Sequence, residues 1–168
     1  MELYIIVGII VLLLLFIIIS VSSTKRKMRR EIIKINDAIE SIDLYLGKKK
    51  DALYRSKNII KDDDYKNNFK DELNYDDNTE LNDILNDLEN KFYEIIDEDE
   101  ELTKNKKLLN LKNEIRNIDN NLLGSIKFYN DSLEKYYKIK TTFPTNIVKV
   151  FCGFKKYNKF ETKRTNTD

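Results

Sequence analysis

The sequence predicts an all-α protein: an N-terminal transmembrane helix, then an antiparallel up-and-down helical bundle of four helices, two of them long. Three observations carry this. An uncharged apolar run opens the chain, from Leu3 to Ile19, and Val21 extends it. Apolar residues then recur every three or four positions over long stretches, as on a helix with one buried face. No alternating strand pattern lasts more than a few residues, and the chain of 168 residues holds one proline and four glycines.

About 20 apolar residues span the ~30 Å hydrocarbon core of a bilayer as a helix. A signal peptide has a basic leader before a shorter apolar run. Here Glu2 is the only charge ahead of the run, and Lys25, Arg26, Lys27, Arg29 and Arg30 follow it. Cytoplasmic flanks retain Lys and Arg. The expected localisation is therefore the cell membrane, single-pass, with the N-terminus outside and the C-terminal domain cytoplasmic. The expected division is 1–24 as anchor, 25–160 as bundle and 161–168 as a disordered tail. The bilayer is the first expected partner.

Residues 32, 39, 46, 53 and 60 (Ile32, Ile39, Leu46, Leu53, Ile60) form an unbroken seven-residue series on the first cytoplasmic helix. A companion series, Ile35 and Ile42, decays at Lys49 and Ser56. Gly47 weakens the middle by about 1 kcal/mol relative to alanine. No Pro or Gly separates Ile19 from Ile32, so the helix continues from the membrane run. Residues 61–78 are the most polar connection; Tyr65, Phe69 and Leu73 leave a short helix or a loop open. The next helix has Asp77, Asn78 or Thr79 as its cap, Glu80 at the positive dipole end, and Leu81, Leu85, Leu88, Phe92 and Ile95 as its stripe. The acidic run at 97–101 ends it.

The longest stripe steps through Leu108, Leu111, Ile115, Ile118, Leu122, Ile126, Tyr129, Leu133 and Tyr136. Over residues 104–141 this helix is on the order of 57 Å long. Pro144 stops it, because proline cannot continue a helix and disfavours helical geometry at Phe143. Beyond it, Ile147, Val148, Val150, Phe151 and Phe154 make an apolar flap, with Gly153 allowing a reversal. If four helices alternate in direction, this corner returns to the bilayer. With three it sits about 50 Å away. In the first case Phe151 and Phe154, with Lys149, Lys155, Lys156 and Lys159, face an anionic leaflet; the alternative is that the flap simply seals the end of the bundle.

The order and spacing of Tyr129-Asn130, Tyr136, Phe143-Pro144, Asn146, Gly153-Phe154 and Phe160 resemble the C-terminal signature of the LemA family. Members carry a YN pair, a second YN seven residues on, FP, and GF before a closing aromatic. The stretch INDAIESIDLYLGKKKDAL is similar to the family's first helix. Tyr137 stands where the second asparagine is usual, Lys127 in place of arginine and Asp119 in place of glutamate, and the 61–78 segment is shorter. The resemblance implies a membrane-tethered cytoplasmic four-helix bundle and no defined activity; the association of some relatives with membranes and envelope physiology favours a scaffold.

The chemistry census excludes much. With no histidine there is no His metal site, phosphohistidine or Ser-His-Asp triad. One cysteine makes neither a disulfide nor a structural zinc site. Cys152 reads as packing or as a lipidation site. The glycines are isolated, so no loop cradles phosphate. Acidic clusters lack the spacing of a calcium loop. Residues 25–168 hold all 30 Lys and Arg, and Glu2 is the only one of the 29 acids outside them. That near-balance argues against nucleic acid. No catalysis, cofactor or small-molecule substrate is expected.

Tyr129, Asn130 and Tyr136 read either as core filling with a hydrogen-bonded amide, or as an aromatic and amide ridge for a partner, while Tyr137 projects off the core seam and is open to both readings. The function expected first is a non-enzymatic scaffold or interaction module with a protein partner or self-association. The alternative is a membrane-surface or membrane-shaping element acting through self-association and the basic-aromatic flap. A small-molecule sensor bundle comes third.

Overall fold

In the computed structural model, residues 1–67, 69 and 77–161 are described. Among these the fold is all-α. Helix α1 runs Glu2–Lys57 without a break, α2 Asp63–Asn67, α3 Asn78–Glu98, α4 Glu100–Thr103, α5 Lys106–Thr141 and α6 Thr145–Val148, followed by a 3-10 turn at Lys149–Phe151. Three of the six helices are long. Helix α1 carries the stretch long and apolar enough to cross a membrane.

Side-chain caps set the helix starts. Asp77 caps α3, accepting from the Thr79 N–H at 2.7 Å. Asp99 ends α3 and caps α4 by accepting from Glu101 and Leu102. Asn105 caps α5, accepting from Lys107 N at 3.0 Å. The polar connection resolves in part: Tyr65 sits on the short α2 and is buried, as is Phe69. Leu73 lies outside the described residues, as does the tail from 162 onward.

The chain divides into two compact units. One joins Met1–Asp37 to Phe128–Lys159, and the second centres on Ala38–Lys127. In the second unit every predicted α5 position from Leu108 to Ile126 is buried. On α3 the buried stripe is Asn82, Leu85, Leu88, Phe92 and Ile96, with Leu81 and Ile95 only half-buried. Ile96 lies one helical turn beyond Phe92 and shares its face, whereas Ile95 falls on the flank.

The companion series on α1 does not decay. Lys49 is 1 % exposed and Ser56 fully buried, on the same seam as Ile42. Each polar group is satisfied there, as burial demands. Lys49 Nζ donates to Asn86 Oδ1 at 2.7 Å and Asp119 Oδ1 at 2.8 Å, and pairs with Glu89. The Ser56 hydroxyl donates to the Leu53 carbonyl and so accepts from the Tyr65 phenol, both at 2.6 Å. Further pairs in this unit join Asn78 to Asp43, Arg55 to Glu114, and Lys112 to Asp97.

Candidate functional site

The sequence directed attention to the stretch around Pro144, and the first unit brings most of those residues together. Helix α5 ends at Thr141, and the Phe143–Pro144 peptide is cis. Helix α6 and the 3-10 turn follow, and Gly153 adopts φ 67°, the left-handed region glycine tolerates. From Phe154 to Glu161 the chain is a strap without regular secondary structure.

Three tyrosines grip that strap by its main chain. The Tyr136 phenol donates to the Lys155 carbonyl at 3.1 Å and accepts from the Lys155 N–H at 2.8 Å. Tyr137 treats Tyr157 the same way, with both bonds at 2.8 Å. Tyr129 donates to the Asn158 carbonyl at 2.6 Å. Burial raises the Tyr129 and Tyr136 phenols above their ordinary pKa. Phe154 packs edge-on against Tyr136, with centroids 5.5 Å apart, as does Tyr157. Its ring is therefore turned to α5 and half-buried, not directed outward with Phe151.

Tyr129 and Tyr136 are buried, and Tyr137 is half-buried. Tyr137 and Asn130 line a groove of about 410 Å³ with Asp131, Glu134, Tyr157 and Lys159. Asn146 is exposed on α6, and Lys149, Phe151, Lys155, Lys156 and Lys159 are all exposed. Pro144 is half-buried. Cys152 is buried, and burial pushes its thiol pKa up, with Lys25 opposing.

The same unit contains the apolar run, whose Leu3 and Ile19 are exposed and Val21 half-buried. A stripe of Ser20, Thr24 and Met28 on α1 is buried. The Thr24 and Thr145 hydroxyls hydrogen-bond at 2.9 Å, and the Phe16 and Phe143 rings lie 6.4 Å apart. The corner thus sits against the end of the apolar run. A crevice of about 250 Å³ opens beside it, lined by Lys27, Lys135, Lys138, Ile139, Thr142 and Phe143 among others.

Sequence reading missed the ionic cluster of the second unit. One buried lysine there faces two carboxylates. Burial pushes the Asp119 carboxyl up to about 6, with Glu89 adding to the rise and Lys49 opposing it. Tyr93 hydrogen-bonds Glu89, and burial with that carboxylate raises its phenol. The available signal was Lys49 occupying a seam position between Ile42 and Ser56.

An apolar N-terminal helix of membrane-crossing length, continuous with an all-α chain whose tail is strapped to its longest packed helix, defines a class of helical protein compatible with membrane anchoring. Within that class the chain belongs to the LemA family, whose profile matches residues 22–168. Comparison with curated proteins and with solved structures gives no match.

Proposed function

We propose that this LemA-family chain is a non-enzymatic interaction module, anchored by residues 1–24 with residues 25–160 as a cytoplasmic helical bundle. The observation that carries the reading is helix α1 itself. One unbroken helix passes from an exposed apolar run at Leu3–Ile19 to a seam buried at Ile35, Ile42 and Leu46, so one element serves two solvents. Exposed Lys25, Arg26, Lys27, Arg29 and Arg30 follow the run and favour a cytoplasmic C-terminal side.

An up-and-down arrangement is supported by pairing order. Going up α1, Asp43 and Lys49 meet Asn78 and then Asn86 on α3, in the same direction. Lys49 and Arg55 meet Asp119 and then Glu114 on α5, in the opposite direction.

The face for a protein partner is the groove holding Asn130 and Tyr137, whose amide, phenol and carboxylate edges give directional contacts beside aromatic rings. A photo-reactive residue replacing Glu134 in the membrane-anchored chain is expected to give a discrete adduct of higher mass in cells. Only intramolecular products would sink the assignment of this groove.

A further inference from the structure

Four large apolar side chains around the corner point away from its packed interior. Thr145 and Cys152 are buried, while Phe143, Ile147, Val150 and Phe151 are between 64 % and 81 % exposed. So dense an apolar cluster on a nine-residue stretch is unusual on a water-facing surface. Its depth is fixed by two contacts to α1. Thr145 bonds Thr24, and Phe143 reaches Phe16, which lies eight residues, or about 12 Å, further into the apolar run. Wherever Phe16 lies in hydrocarbon, Phe143 lies there too.

Charge matches the same surroundings. Lys149, Lys155 and Lys156 are exposed around the apolar cluster, and Lys27, Lys135 and Lys138 line the crevice beside Phe143. Lysine stems lie along apolar surface while their ammonium groups reach for headgroup phosphates, which is the composition of an interfacial membrane element.

We propose that α6 and the following 3-10 turn form a second membrane contact. The element lies in the cytoplasmic leaflet against the anchor, with Phe143, Ile147, Val150 and Phe151 among the acyl chains and the lysines at anionic headgroups. Continuity with the apolar run selects lipid over a second copy of the chain, because a copy covering Phe143 would itself have to enter the bilayer at Phe16. The proposal rests on residues Leu3–Ile19 spanning a membrane.

The chain contains no tryptophan, so a single introduced indole reports without background. The full-length chain is reconstituted in phosphatidylcholine–phosphatidylglycerol vesicles with or without acyl-brominated lipid. Phe151→Trp and Ile147→Trp should each lose roughly half their emission to the bromines, as expected for side chains on the order of 5–10 Å into the interface. Leu12→Trp, inside the run, should be quenched as well. If Leu12→Trp is quenched while both corner reporters keep their emission, the second contact is overturned and the anchored reading stands. If Leu12→Trp also escapes, both fall. Far-UV circular dichroism verifies each variant's fold, and Val150→Trp, at the most exposed position, replaces any reporter that does not fold.

Discussion

Lys49 is the residue at which charge enters a buried seam. Its ammonium is held by Asn86, Glu89 and Asp119 from two other helices. Removing one partner of such a cluster leaves the others buried and unpaired, a loss of 3–5 kcal/mol when burial is complete. Asp119 keeps 31 % of its side chain exposed, so Lys49→Met should cost about 3 kcal/mol, the lower end of that range, in chemical unfolding of the detergent-solubilised chain. The cluster should also make stability depend on pH. The groups facing Asp119 and its neighbours are Lys49 from α1, Glu89 and Tyr93 from α3, and Arg116 from α5. The folded chain holds the Asp119 proton up to about 6, against 3.8 ordinarily, so it binds more protons than the unfolded chain in between. That contribution is present below pH 3.8 and lost as pH rises to about 6, with no further change above. Melting curves across this window should fall with rising pH, and Asp119→Asn should flatten the slope. Hydropathy spacing recorded Lys49 only as an interruption, because a period of apolar residues carries no information about partners more than 30 positions away.

Among the elements, α5 was the most legible in sequence. Its nine-position apolar stripe is buried throughout, since one helix packed on one face makes periodicity and burial the same statement. The strap at Phe154–Glu161 was legible only as the end of a family signature. Its order comes from phenol-to-backbone bonds, which leave no trace in its own composition. Replacing Tyr136 and Tyr137 by Phe deletes the acceptors of the Lys155 and Tyr157 amides while keeping the rings. Each lost bond is worth about 1 kcal/mol, so exchange of those two amides should quicken by roughly five- to tenfold. Unchanged exchange by NMR would mean that ring packing alone holds the strap.

For the whole molecule, the expectation of an all-α chain with an N-terminal apolar helix is met, and the family assignment extends over residues 22–168. What the sequence left open was where the corner after α5 lies. The question turned on whether the polar 61–78 segment adds a helix, and local patterning was ambiguous there. Contacts of Thr145 with Thr24 and of Phe143 with Phe16 place the corner beside the apolar run without reference to helix count. If residues 1–24 are the principal anchor, deleting them should move the chain from the carbonate-resistant membrane fraction to one released by carbonate or by salt. Retention in the carbonate-resistant fraction would mean that the remaining chain embeds by itself.

The tyrosine grip on the strap has an evolutionary consequence. Main-chain N–H and C=O groups are common to nearly every amino acid, so a clasp that holds only these is indifferent to the side chains it carries. The clasp lets the exposed position 155 change identity, proline excepted because it has no N–H to give, whereas position 157 is also held by its ring against Tyr136. As far as the clasp is concerned, the exposed side chains of the strap are open to change, while Tyr136 and Tyr137 beneath it, and the Phe154 and Tyr157 rings packed on Tyr136, are not.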